Sequence, residues 1–162
     1  MPAVYLGLGS NIKPEENLRL GCTELENSFG AIVKSSVYRS KAYGFEGDDF
    51  LNMVVSLDTG QPPIEIQDRI EKIHRLAGRD RAAGAYSART LDIDLLLYGD
   101  LVVDEPPIRL PRPDILRFGF VLGPLAEVAP ELIHPATNQS IAAHWRKFDK
   151  GRHPVTRQDV IL

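Results

Sequence analysis

The chain has 162 residues, 43% hydrophobic and 25% charged, with a formal net charge of −3. This balance is typical of a folded domain with its own core, and we expect a single domain over residues 1–162. A mildly acidic chain gives no general reason to bind nucleic acid or a membrane, so an anionic ligand would need a local basic cluster.

Turn residues and the spacing of apolar residues predict the strands and the helix of the first part of the chain. The run "AVYLGLGSN" predicts a buried strand that ends in a Gly-Ser-Asn turn. Pro14 and two glutamates open a helix whose apolar face carries Cys22, and Gly30 ends it. A single cysteine excludes an internal disulfide and favours a reducing cytoplasm. β-branched residues from Ala31 predict a second strand, and residues 50–58 predict a third.

The elements of the second half of the chain are predicted from the same kinds of signal. A helix with an isoleucine stripe ends at Gly78, and "RDRAAGAYSAR" then reads as a long functional loop. "TLDIDLLLY" is a fourth strand, "LVVDEPPIRLP" holds a short extra strand, and two short helices follow. The order predicts the α+β class, as a ferredoxin-like sandwich (βαββαβ core) with an extra C-terminal strand and helices. Its two core helices would cover one sheet face and leave the other open for a site.

Asp92 and Asp94 lie inside the fourth strand. Because side chains alternate across a strand, both would point to the open face with Cα atoms about 6.7 Å apart. Carboxylates at that spacing repel, so positive charge should lie nearby. Arg79, Arg81 and Arg89 could supply it, as could Mg²⁺, and such a cluster favours a polyphosphate ligand. The alternative is a solvated pair held by arginines without a metal.

Other features are less specific. Phe50 and Asn52 share a strand face, which would suit a flat heterocycle, although Phe50 could instead belong to the core. The "GLGSN" run lacks a third glycine, so Gly7 and Gly9 are expected to permit a tight turn and close packing. The histidines lack zinc-site spacing, and we expect them at the surface or in packing roles.

Several segments between Tyr5 and Leu132 together resemble one enzyme family. They are "YLGLGSNI", "YRSKAYG", "FLNMVV", "GRDR", "ARTLDIDLLLYG" and "FVLGPLAEVAPEL". The chain is similar to 6-hydroxymethyl-7,8-dihydropterin pyrophosphokinases of folate biosynthesis. The resemblance implies transfer of pyrophosphate from ATP to the pterin hydroxymethyl group with release of AMP. It also implies two Mg²⁺ ions, ATP and the pterin as ligands, and a cytoplasmic enzyme, which we expect to be a monomer.

The resemblance also implies the site residues. The catalytic group would be Arg79, Arg89, Asp92 and Asp94, with the two aspartates as metal ligands. The pterin would contact Ser40, Lys41, Tyr43, Phe50, Asn52 and Phe120. ATP would contact Glu71, Arg79, Arg81, Arg89, Arg112 and Arg117.

The sequence departs from the family pattern at "LPRPDILRFGF". Arg112 replaces an expected histidine, and Phe118 replaces an expected arginine, with Arg117 one place earlier. We expect Arg112 to reach the polyphosphate and Phe118 to pack at a helix start; the alternative is that Arg112 points into solvent. The changes also leave open a binding module that has lost catalysis. A polymerase-like palm fits poorly, because the chain is small and has no basic stripe.

Overall fold

The structure is a computed structural model that describes residues 1–43, 46–78 and 91–162. The strands are β1 (Ala3–Ser10), β2 (Val33–Lys34), β3 (Val37–Ser40), β4 (Phe50–Asp58), β5 (Asp92–Tyr98), β6 (Val103–Glu105), β7 (Ile108–Leu110) and β8 (Val155–Gln158). The helices are α1 (Pro14–Phe29), α2 (Pro63–Leu76), α3 (Asp114–Arg117), α4 (Gly119–Val128) and α5 (Ile141–Lys147). Within the described ranges, none of these helices is long and apolar enough to cross a membrane.

An antiparallel sheet organises the chain in the order β5-β1-β4-β3-β8, and β2 also pairs with β4. Strand β1, between β5 and β4, pairs Leu8 with Met53 of β4 and with Ile93 of β5. β6 and β7 form a separate two-stranded sheet. The prediction of mixed helices and strands is therefore confirmed, and β5 lies at one end of the main sheet.

The first sheet face is covered by α1 and α2, as predicted. Leu18 and Leu25 of α1 and Ile70 of α2 are fully buried in one cluster with Leu6 and Ile93 of the sheet. Their helical spacing places one apolar stripe of each helix on the sheet. Burial of this kind contributes about 1.5–3 kcal/mol per large apolar side chain.

Cys22 belongs to this core and gives a first testable prediction. Its side chain is buried against Met53, and burial raises the pKa of the thiol to about 11. The thiolate is the reactive form, so the folded protein should react slowly at pH 8. We expect a disulfide reagent such as DTNB to modify Cys22 at least ~100-fold more slowly in buffer than in denaturant, as followed by absorbance. Equal rates would contradict the buried position.

The second face is less open than predicted, because α4 covers part of it. Val54 and Leu96 of the sheet pack with Leu122 and Leu125 of α4 and with Ile115 of α3. The expectation of a wholly open face is therefore wrong. The physical reason is that α4 is apolar around most of its surface, and such a helix needs burial on more than one side.

Alternation along the strand predicts that Leu97 lies under α1 and α2 with Ile93 and Leu95, but Leu97 lies on the opposite sheet face. The alternation of β5 breaks because Tyr5 pairs with Leu97 while the adjacent Leu6 pairs with Leu95, so one residue of β5 is extra. The extra residue, Leu96, moves the residues after it to the opposite sheet face. Both Leu96 and Leu97 therefore pack in the apolar cluster that contains Leu122 and Leu125 of α4. The bulge lies beyond Asp94 and leaves the alternation of the two aspartates unchanged.

Two further predictions need correction. The second strand is divided in two, because the hydroxyl of Ser35 accepts a hydrogen bond from the Val54 N–H in place of a main-chain acceptor (2.9 Å). The single extra strand is a hairpin of β6 and β7, and β8 adds a further edge strand beside β3. The functional loop predicted at "RDRAAGAYSAR" lies outside the described residues.

Candidate active site

A cleft of about 470 Å³ opens beside the α3–α4 junction. It is lined by eleven of the predicted site residues, namely Ser40, Lys41, Tyr43, Phe50, Asn52, Glu71, Asp92, Asp94, Arg112, Arg117 and Phe120. The other three, Arg79, Arg81 and Arg89, lie outside the described residues. Residues from distant parts of the sequence therefore meet in one cleft.

The acidic side of the cleft is built by the β1–β5 pair. Asp92 pairs with Gly9 and Asp94 with Gly7, and directly paired residues project to the same sheet face. Since both partners are glycines, no β1 side chain stands beside either carboxylate. The "GLG" run thus leaves space next to both aspartates. A Cβ on Gly9 would also lie only 3.1 Å from Oδ1 of Asn52, which supports the predicted close packing.

Arg112 lies against this acidic side. Its N–H donates to the Leu96 carbonyl (3.0 Å), which ties the segment to β5. Its guanidinium approaches Asp94 (Nη2–Oδ1, 3.4 Å) and Asp114 (Nε–Oδ2, 3.2 Å). Burial alone would lower the pKa of Arg112, but the carboxylates of Asp94, Asp114 and Asp92 outweigh burial and raise it. Arg112 therefore points into the cleft, and the alternative of a solvent-directed side chain is wrong.

The opposite side of the cleft carries a buried amide. Asn52 is 4% exposed, and its Nδ2 donates to the hydroxyl of Ser40 (2.8 Å) and to the Tyr38 carbonyl (3.4 Å). Both amide donors thus point away from Gly9, while Oδ1 faces it. Within the described ranges no donor reaches Oδ1. A buried acceptor of this kind is well suited to an N–H group of a ligand.

Aromatic rings form the wall next to this amide. Phe118 stacks on Phe120 with ring centroids 5.0 Å apart and an interplanar angle of 17°. Tyr43 meets Phe118 edge-on at 5.0 Å, and His153, which the sequence did not indicate as a site residue, approaches both rings. Phe118 is 8% exposed and directly precedes α4, as predicted for a packing residue. Phe50 is only partly buried and lines the cleft, so it is not simply a core residue.

The sequence reasoning missed three polar residues that line the cleft, Gln67, His74 and Asp114. Asp114 holds the guanidinium of Arg112, as described above. His74 of α2 is buried, as a packing role requires, yet its Nε2 accepts a hydrogen bond from the Ile93 N–H (2.9 Å), between the two aspartates. One signal was available for His74. It follows Gln67 and Glu71 at positions i+7 and i+3, on a polar stripe beside the isoleucine stripe of α2.

Comparison with known proteins shows the family to which the chain is related. The sequence profile of the 7,8-dihydro-6-hydroxymethylpterin-pyrophosphokinase family matches residues 5–130. The 2-amino-4-hydroxy-6-hydroxymethyldihydropteridine pyrophosphokinase of Aquifex aeolicus is 39% identical over 137 residues, which are 83% of this chain and 85% of that protein. The protein of the same name from Synechocystis is 37% identical over 139 residues, 84% of this chain and 71% of the relative.

Solved structures share the fold at lower identity. A Plasmodium falciparum HPPK-DHPS structure superposes with a TM-score of 0.73 at 15% identity and covers 91% of this chain. A further HPPK-DHPS structure, in complex with substrates, gives 0.76 at 11% identity over 93% of this chain. The chain spans less than half of these solved chains, 43% and 44%. On its family match and its curated relatives, the chain belongs to the 7,8-dihydro-6-hydroxymethylpterin-pyrophosphokinase family.

Proposed function

We propose that this cleft transfers the β,γ-pyrophosphoryl group of ATP to the hydroxymethyl oxygen of 6-hydroxymethyl-7,8-dihydropterin and releases AMP, as a step of folate biosynthesis. The observation that supports this proposal most strongly is that a single cleft has two chemically different sides. One side is acidic, with Asp92 and Asp94, and the other carries an amide and an aromatic ring, from Asn52 and Phe120. The first side suits a metal-bound polyphosphate and the second suits a flat heterocycle. We also infer a ferredoxin-like core, which the strand order β5-β1-β4-β3 supports.

The donor set of the acidic side fits Mg²⁺. Its ligand atoms are carboxylate oxygens, and Mg²⁺ commonly takes one or two carboxylates while phosphates and water complete its coordination. Within the described ranges, no group of three His, Cys, Asp or Glu side chains is arranged to hold a metal ion. Asp92 and Asp94 would hold two Mg²⁺ ions. When bound, the ions would neutralise phosphate charge and polarise the transferred group.

The chain itself would supply orientation and charge. Pyrophosphoryl transfer depends on in-line placement of the hydroxyl and on charge stabilisation more than on covalent help from the protein. Arg112, on the same side of the cleft as Asp94 and Asp114, would bind phosphate oxygens. Arg117, whose guanidinium lies 5.2 Å from the centroid of the Phe118 ring, would assist it. In the reaction, the hydroxymethyl oxygen would bond to the β-phosphorus. The bond between the β-phosphorus and the oxygen that bridges it to the α-phosphorus would break, and that oxygen would stay on AMP. The hydroxyl proton would leave to solvent.

The pterin would be recognised by shape and by one buried acceptor. Oδ1 of Asn52 would accept a ring N–H, because Ser40 and the Tyr38 carbonyl already hold the amide donors. Phe50 and Phe120 would cover the ring faces. Phe118, stacked on Phe120, would hold that wall in place.

Replacement of Phe50 tests the pterin side. We expect Phe50→Ala to weaken pterin binding by about 1–3 kcal/mol, the usual range for loss of a stacking contact. Phe50→Leu keeps apolar volume but lacks a π face, so it should recover only part of the loss. Calorimetry with the pterin and with a nonhydrolysable ATP analogue measures both ligands. If both are weakened equally, Phe50 has a structural role instead.

The reaction itself can be tested with ATP labelled at the β-phosphorus. Pyrophosphoryl transfer moves the label to the pterin and leaves unlabelled AMP, whereas transfer of a single phosphoryl group leaves the label in ADP. We expect labelled pterin only when protein, Mg²⁺ and pterin are all present. Label in ADP would contradict the reaction. Tight binding of both ligands without release of AMP would favour the non-catalytic binding module.

Other expectations stay predictions. They are a single domain over residues 1–162, a monomer, a cytoplasmic location and the absence of nucleic-acid or membrane partners.

A further inference from the structure

We propose that His74 is a positioning residue that fixes β5 where Asp92 and Asp94 face the cleft. The proposal deepens the function proposed above and rests on it. His74 lines the cleft next to Glu71, an expected ATP contact, but is not itself among the residues expected to contact the substrates. It would act through the backbone of Ile93, the residue between the two aspartates.

The position of β5 in the sheet explains why such a contact is needed. In the part of the chain that the structure describes, β5 lies at the end of the strand order and pairs with β1 alone. In an antiparallel edge strand, every second N–H points away from the sheet and has no strand partner. The Ile93 N–H is of this kind, since it donates to Nε2 of His74 (2.9 Å). Ile93 is 1% exposed, so water cannot readily replace this acceptor.

Contacts within α2 hold the imidazole in the required orientation. The His74 side chain is 4% exposed, and its Nδ1 lies 3.6 Å from Oε1 of Glu71. The same Glu71 oxygen accepts a hydrogen bond from Nε2 of Gln67 (3.1 Å). Because Nε2 accepts the Ile93 hydrogen, Nδ1 of the neutral ring carries the proton and faces Glu71. The three side chains share one stripe of the helix and aim Nε2 at the strand.

The consequence for the site follows from strand geometry. Asp92 and Asp94 flank Ile93 and project to the same face, so a shift of the Ile93 peptide moves both carboxylates together. Their separation and direction are what a metal-bound polyphosphate would meet. Small displacements of catalytic groups can lower turnover strongly, so loss of the Ile93–His74 bond should slow the transfer step more than it weakens ligand binding.

Two substitutions at His74 separate the hydrogen bond from packing. In His74→Gln the amide oxygen has about the reach of Nε2 and can still accept from Ile93. His74→Leu fills a similar volume without an acceptor. The matched control is His134→Leu, because His134 is also buried (3% exposed), accepts a backbone hydrogen bond from Ala136 N–H (3.2 Å) and lies outside the cleft.

The experiment has one readout that needs neither metal nor substrate. Amide hydrogen exchange of Ile93, followed by NMR on the ligand-free protein, reports the bond directly, and thermal melting reports stability. We expect His74→Leu to speed Ile93 exchange at least tenfold, to lower kcat about tenfold and to leave KM for the pterin within about twofold. His74→Gln should restore most of the protection and most of kcat. His134→Leu should lower stability while kcat stays near wild type.

The opposite results would overturn the proposal. These are an unchanged Ile93 exchange rate in His74→Leu, a kcat loss no larger than in His134→Leu, or failure of a well-folded His74→Gln protein to recover kcat. If His74→Leu does not fold, His74→Asn replaces it, since the shorter amide does not reach the position of Nε2 and the same losses are expected. Failure of the wild-type chain to transfer labelled pyrophosphate would refute the proposed function and not the Ile93–His74 bond, which hydrogen exchange tests separately.

Discussion

Replacing either Asp92 or Asp94 with alanine is expected to lower pyrophosphoryl transfer by at least ~100-fold, the scale seen on loss of a main electrostatic stabiliser. Each carboxylate would be a ligand to Mg²⁺, and neither can be replaced by a β1 side chain, because Gly9 and Gly7 stand opposite. The fold should survive, since both side chains face the cleft rather than the core. AMP release under saturating substrates measures the effect.

A control is available on the β6–β7 hairpin. Asp104 forms an ion pair with Arg109 (3.5 Å), as Asp94 does with Arg112 (3.4 Å), but it is largely exposed and lies outside the cleft. Asp104→Ala should therefore leave AMP release nearly unchanged. Near-normal AMP release by Asp92→Ala or Asp94→Ala would exclude the two-aspartate metal site.

Removal of the Arg112 guanidinium is the second large effect that we expect. Arg112→Ala should raise the dissociation constant of an ATP analogue by about 10- to 100-fold, because a charge-assisted hydrogen bond contributes roughly 1.5–3 kcal/mol. Pterin affinity without nucleotide should stay within about twofold, since Asn52 and the aromatic wall lie on the other side. Arg112→Lys should recover only part of the loss, because an ammonium keeps the charge but not the forked donors.

The control for this variant is Arg109→Ala. Arg109 belongs to the β6–β7 hairpin and forms its ion pair with exposed Asp104. Calorimetry with the ATP analogue, with and without Mg²⁺, measures both variants. An Arg112→Ala protein that binds the analogue as tightly as Arg109→Ala would show that Arg112 serves only as the partner of Asp94 and Asp114.

The acidic side of the cleft could be predicted because its signal is local. Alternation along a strand has a period of two residues, so Asp92 and Asp94 had to share a face wherever the strand packed. The same rule gave the wrong face for Leu97, because a bulge opposite Tyr5 and Leu6 inserts a residue into β5. Nothing in the leucine run marks that bulge, which depends on the partner strand.

Tertiary contacts account for what the sequence did not indicate. The sequence predicted a surface or packing role for His74. Its role as a hydrogen-bond acceptor could not be predicted, because the donor, the Ile93 N–H, lies in another element. The cover that α4 gives to the second face depends on where the chain returns after β7. For Arg112, the sequence indicated an unusual residue at the right place, but its contacts with Asp94 and Asp114 follow only from the anchoring of its backbone to Leu96.

The metal site is the part of the account on which the chemistry most depends, and counting bound metal ions tests it most directly. Mn²⁺ can replace Mg²⁺ at oxygen ligands and is counted by electron paramagnetic resonance. With a nonhydrolysable ATP analogue and the pterin present, we predict two Mn²⁺ ions per wild-type chain. In the doubly substituted Asp92→Asn, Asp94→Asn protein, at least one ion should be lost or bound at least tenfold more weakly. The same number of ions bound with the same affinity by both proteins would contradict the account.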